Sequence, residues 1–148
     1  MSNLKKKIND DVKSSMRNQD RTRLVTLRMI TAAIKQKEVD DRIDLNDQQV
    51  IIIIDKLARQ HKESIEQYEI AGRKDLVEKE KSELEIVRTF LPQRLTDDKV
   101  SELVEMAIKT TDAKTMKDMG KVMAKLKLEL QGRADMSAVS SMVKLLLS

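Results

Sequence analysis

A single histidine, His61, and no cysteine occur in the 148 residues. A thiolate nucleophile, a disulfide framework and a cysteine metal site are therefore excluded. A Ser-His-Asp relay would have to use His61, and no G-x-S-x-G elbow accompanies it. His61 falls between Leu57 and Ile65 on an apolar helical stripe. A partly buried core histidine is the ordinary reading there, and a ligand or base the sharper one. A transition-metal site would need carboxylates as its main donors, as on paired helices carrying Glu-x-x-His, and no such motif occurs. Glu78, Glu80, Glu83 and Glu85 supply carboxylates, but with Lys79 and Lys81 between them they read as solvated salt bridges. No P-loop or G-x-G-x-x-G loop is present, and residues 40–44 lack the glycine and closing glutamate of a calcium loop. No catalytic residue, metal ligand or cofactor is assigned.

Basic residues offer the other chemistry. Lys117, Lys121 and Lys125 recur every fourth residue, with Lys114 before them and Arg133 after. Such a run can meet phosphates, or it can be the wet face of an amphipathic helix. The net charge of +4 hides a segregation, since basic residues dominate 1–37 and 113–148 and acidic residues dominate 38–112. Charge pairing between segments is the bland account, and attraction of a phosphate backbone the functional one. With Tyr68 and Phe90 as the only aromatics, the chain cannot build the stacking platform of a single-strand binder. Contact with the backbone and shape of a folded RNA remains open to it.

Helices must carry these residues. Three glycines and one proline, with 36% charged residues that are mostly helix formers, indicate an all-α protein. Leu4, Ile8, Val12 and Met16 mark a first helix behind a Ser2 cap. A second helix over 21–38, capped by Asp20, has Leu27, Ile30 and Ile34 on one face and Val25, Met29, Ala32 and Ala33 on another. Two apolar faces predict a central position, with Arg21, Arg28 and Lys35 along the seam between them. Asn46 and Gln49 resemble a capping box for a third helix bearing Val50, Ile54, Leu57, His61, Ile65 and Tyr68. Gly72 ends it. A fourth helix, 75–90, turns Leu76, Leu84, Val87 and Leu91 inward and stops where Pro92 disfavours continuation.

Beyond Pro92 a second pattern begins. Thr96 caps a helix with Val100, Leu103, Val104, Ala107 and Ile108 inward; Thr115 and Asp118 open one with Met116, Met119, Val122, Met123, Leu126 and Leu130. Gly120 inside that helix predicts close approach of another backbone, because glycine there costs about 1 kcal/mol against alanine. Gly132 ends it, Asp135 or Ser137 caps the last helix, and Val139, Met142, Val143 and Leu146 face inward. The expected architecture is about four helices over 1–92, then a three-helix bundle-like domain over 93–148. The methionine concentration, Met106, Met116, Met119, Met123 and Met136, reads as core filler or as an adaptable partner surface. The apolar runs Val50–Ile54 and Leu145–Leu147 are too short to span a bilayer. The lysines at 5–7 have no apolar h-region behind them. A cytoplasmic protein without a membrane partner is expected.

The series Met119-Gly120-Lys121-Val122-Met123, Gly132-Arg133-Ala134-Asp135, Val139-Ser140, Val143-Lys144 and Leu146 resembles the YqeY-like proteins and the tail domain of the B subunit of tRNA-dependent amidotransferases. Leu27-Arg28, Ala32-Ala33-Ile34-Lys35, Glu38, Gly72-Arg73-Lys74-Asp75-Leu76 and Phe90-Leu91-Pro92 extend the YqeY-like resemblance over nearly the whole chain. The tail resemblance covers about the last 55 residues. Met136 departs from the glycine or proline common there, and Lys125–Gln131 is longer than in the amidotransferase tail. In the amidotransferase the tail holds the tRNA body while chemistry occurs elsewhere. The resemblance therefore implies a module that binds tRNA or a tRNA-handling complex without a catalytic site. Lys121 and Arg133 would touch phosphates, and Gly120 and Gly132 would let helices approach. A component of glutamine-dependent carbon–nitrogen ligation and a protein–protein adaptor are the alternative readings.

Overall fold

The computed structural model describes residues 2–148, which contain α-helices, one 3-10 turn and no strand. The chain divides into two compact units, the first ending at Leu91 and the second spanning Pro92–Ser148.

In the first unit α1 is Asn3–Arg17, α2 Arg21–Asp41, α3 Asp47–Ile70 and α4 Lys74–Arg88. Each start has a chemical cause. Ser2 accepts from the Lys5 N–H, Asp20 from Arg23, and Asn46 and Gln49 form a reciprocal capping box. At the α3–α4 turn Gly72 sits at φ +72°, the Arg73 N–H donates to the Tyr68 carbonyl and the Gly72 N–H to Glu69. This Schellman arrangement folds α4 back along α3. The helix α4 ends at Arg88, short of the predicted 90, because the Phe90 and Leu91 N–H groups turn to carbonyls three residues back. The helix thus closes before Pro92 is reached.

Ile8, Leu27, Ile30, Ile34, Val50, Ile54, Leu84, Val87 and Phe90 form this unit's core. The helix α2 touches α1, α3 and α4, yet only the Leu27–Ile30–Ile34 face is buried. Of the expected second face Val25, Met29 and Ala32 are exposed and Ala33 is half-buried, so the expectation of burial on both sides is corrected, and Val39 extends the exposed line. The three neighbours gather on one side of α2 and leave the second apolar line without a cover in this unit. Met16, expected inward, is also exposed, and Ser15 takes the buried place.

Polar ties join the helix ends. Lys5 Nζ lies 2.5 Å from Glu38 Oε2 and 2.6 Å from Asp44 Oδ1, and the same Glu38 oxygen accepts the Leu45 N–H at 3.0 Å. Asp47, the first residue of α3, accepts from the Ser2 hydroxyl and from the Leu4 N–H. These donors hold the Asp47 carboxyl below the ordinary carboxylate range. A depressed folded-state pKa means that this tie stabilises the fold fully above the unfolded value of about 3.9 and is lost as pH falls through the folded value. The stability advantage of the wild type over Asp47→Ala should therefore be constant at neutral pH and shrink on acidification below about pH 4. Urea midpoints across that range check it.

In the second unit α5 is Asp97–Thr110, a 3-10 turn covers Met116–Asp118, α6 is Met119–Leu130 and α7 is Met136–Leu147. The three helices touch pairwise around Val100, Val104, Ala107, Val122, Leu126, Leu130, Val139, Val143 and Leu147. Met119, Met123 and Met136 pack against this core, whereas Met106 and Met116 are exposed. Leu147 is buried and Leu146 is 52% exposed, a one-residue change from the expected inward face. Three consecutive leucines allow several faces, and the four-residue spacing of Val139, Val143 and Leu147 selects this one. Asp135 caps α7 through the Ser137 N–H.

The reading of Gly120 as a close-approach site is corrected. The residue is exposed, lies in the first turn of α6, and a Cβ built on it meets nothing within 4 Å. Gly120→Ala should stabilise the unit by about 0.5–1 kcal/mol by restricting the unfolded chain, as thermal or urea denaturation would show. Gly132 differs, being buried at φ +80° just after α6. That conformation suits glycine and strains any other residue.

Candidate functional site

The structure distributes the basic residues predicted for binding over three settings. Lys117 lies on the 3-10 turn, Lys121 and Lys125 are one turn apart on α6, and Arg133 follows Gly132 in the loop after α6. Lys114 and Lys117 are exposed, Lys121 is exposed and Lys125 half-buried. Asp118 organises this end of the unit. Its carboxylate accepts the Lys114 and Thr115 N–H groups at 2.9 and 3.3 Å and stands 3.4 Å from Lys121 Nζ. The two N–H donors chiefly, and Lys121 after them, hold the Asp118 carboxyl below its usual range. Lys121 is thereby partly neutralised. Lys114, Lys117 and Lys125 form no ion pair with any described residue.

Arg133 belongs to a different task. Its guanidinium Nε donates to the Gln93 carbonyl at 3.4 Å, and its own carbonyl accepts the Leu95 N–H at 2.9 Å. The turn at Gly132-Arg133 so fastens the segment that enters the second unit after Pro92. About 14 Å of helix axis separates Lys121 from the end of α6. Arg133 and Lys121 are not brought together into one site.

A second constellation was hidden in the sequence. His61 on α3 faces Glu80 and Glu83 on α4, and donor atoms of all three lie within 4.8 Å of one another. His61 Nδ1 is 2.6 Å from Glu80 Oε2 and 3.7 Å from Glu83 Oε2. The assignment of these glutamates to solvated salt bridges is corrected for Glu80 and Glu83; Glu78 and Glu85 are exposed but form no ion pair with a described residue. Spacing carried the signal. Glu80 comes three residues after buried Val77 and four before buried Leu84, and Glu83 four before buried Val87. Both glutamates thus occupy the inward stripe of α4. A search for local motifs misses the group because its donors come from two helices.

Phe90 is buried in the core under Lys7, whose Nζ is 5.7 Å from the ring centroid, and Tyr68 is half-buried on α3. No described helix is long and apolar enough to cross a membrane.

Comparison with known proteins places this architecture. The chain is similar to altered inheritance of mitochondria protein 41, mitochondrial, of Lachancea thermotolerans, with 39% identity over 94 residues, 63% of this chain and 48% of that protein. The protein of the same name in Pyrenophora tritici-repentis is 29% identical over 126 residues, 84% of this chain and 69% of the relative. An uncharacterised protein of Schizosaccharomyces pombe is 28% identical over 95 residues, covering 64% of this chain and 77% of the relative. The chain spans about half the length of the Lachancea relative and of several others with the same mitochondrial name. The mitochondrial names of the first two overturn the cytoplasmic expectation. That expectation rested on the missing secretory h-region, which does not distinguish cytosol from organelle. The family model described as Yqey-like protein matches residues 5–147, and with nearly its whole length inside that match the chain belongs to the YqeY-like family.

Proposed function

We propose that this chain is a helical module that binds the phosphate backbone of tRNA, alone or within a tRNA-handling complex, through Lys117, Lys121 and Lys125. The observation that carries the reading is the pair of ammonium groups at Lys117 and Lys125, which have no ionic partner among the described residues. Cations left unpaired within the fold are available to displace counterions from a polyanion. The poverty of accessible aromatics directs the contact to backbone and shape rather than to stacked bases.

The test is a titration with tRNA at several salt concentrations. Affinity should fall steeply with salt. The double variant Lys117→Glu, Lys125→Glu should bind at least about tenfold more weakly and show a salt slope smaller by about two. No binding at low salt, or equal binding by the variant, would overturn the proposal. Arg133 is left unchanged in this test because its contacts are internal.

A protein partner is the second reading, favoured by the exposed line Val25, Met29, Ala32 and Val39 on α2. Nuclease-resistant co-purification with a protein, together with absent tRNA binding, would select it. A part in carbon–nitrogen ligation rests on the family resemblance alone.

A further inference from the structure

The His61–Glu80–Glu83 group takes no part in the proposed RNA contact, and its composition calls for a ligand. The side chains of His61, Glu80 and Glu83 retain 7%, 18% and 8% of their exposure. Glu83 is the informative member. Its side chain is more than nine-tenths buried and its carboxylate pairs with the imidazole at 3.7 Å, longer than the 2.6 Å contact that Glu80 makes with the same nitrogen. His61 is the basic group that both carboxylates meet. Even when protonated it can balance only one of them. Two desolvated carboxylates in one place are ordinarily paired or bound to a metal.

The donor set narrows the ligand. One imidazole nitrogen and two carboxylate oxygens suit a borderline divalent cation, and three protein donors leave a fourth position for water. Zinc bound at about 2.0–2.1 Å with tetrahedral angles sets its donor atoms roughly 3.3 Å apart. The distances of 2.6 and 3.7 Å from His61 Nδ1 lie on either side of that separation. Side-chain rotation alone can therefore reach it: Glu80 moves out, Glu83 moves in, and the proton between His61 and Glu80 leaves. Glu80, the most exposed of the three, marks the side from which an ion and its water would enter.

We propose that His61, Glu80 and Glu83 form a binding site for one divalent cation of the zinc class, which joins α3 to α4 and keeps a water in its outer position.

The single histidine makes a direct test available. The untagged full chain, freed of metal with a chelator, is titrated with zinc chloride while the imidazole resonances are followed by NMR. One equivalent should shift or split the His61 signals, and competition against a chromophoric chelator should give a 1:1 stoichiometry. Glu83→Gln should weaken zinc binding by more than about tenfold while circular dichroism shows the helices intact. Cobalt(II) in place of zinc should give the visible absorption of a site with low coordination number. His61 signals that stay in place at saturating zinc would overturn the proposal without recourse to any variant. Equal zinc affinity in folded Glu83→Gln would overturn it as well.

Discussion

Leu126→Ala is expected to remove most of the stability of the second unit. Leu126 is fully buried on α6, in a core that also takes Val104 from α5 and Val143 from α7. Truncating a buried leucine costs about 2–5 kcal/mol, through lost burial and the cavity left behind. A unit of this size holds on the order of 3–9 kcal/mol in all, at roughly 0.05–0.15 kcal/mol per residue. The two quantities are comparable. The cores of the two units share no residue, so the loss should appear in α5, α6 and α7. Amide hydrogen exchange should show their protection falling while that of α1–α4 persists. Uniform loss across the whole chain would contradict the separation of the cores.

Glu38→Ala should cost about 1–3 kcal/mol in the first unit, the usual cost of leaving buried polar groups without partners. One oxygen of Glu38 serves both Lys5 on α1 and the N–H of Leu45, a residue 1% exposed. Removal strands that N–H and leaves Lys5 with Asp44, which is more exposed. The substitution Glu38→Gln separates the two contributions, since its amide oxygen can still accept the Leu45 N–H while the ion pair is lost. It should cost less than alanine. Urea denaturation of both variants checks the order, and equal losses would mean that charge alone matters at this position.

The caps show how much of this fold was legible. Ser2, Asp20, Asn46 with Gln49, Thr96 and Gly72 each act where their residue types predict. These signals are local, a side chain or a left-handed residue meeting backbone groups three or four positions away. Which stripe of a helix is buried is not local. The helix α2 carries two apolar lines of similar quality, and its neighbours cover one. At α7 a run of leucines left the inward register open by one residue. The glutamates of α4 were hidden for a related reason. Two polar residues on an apolar stripe have no cause within their own helix, and their cause is His61 on the helix opposite. For the basic residues the sequence shows charge and spacing, and only the fold separates Lys121, set against Asp118, from Arg133, set against a main-chain carbonyl.

The fastening at Gly132-Arg133 bears on how selection would act there. Glycine at 132 answers a demand of backbone geometry, and Arg133 aims its side chain at the chain's own carbonyl. Purifying selection on this dipeptide would preserve the entry into the second unit whether or not any RNA is bound. Persistence of a positive charge at 133 among relatives would therefore record folding. At Lys117 and Lys125, which the fold does not employ in ion pairs, persistence of charge would record an external partner.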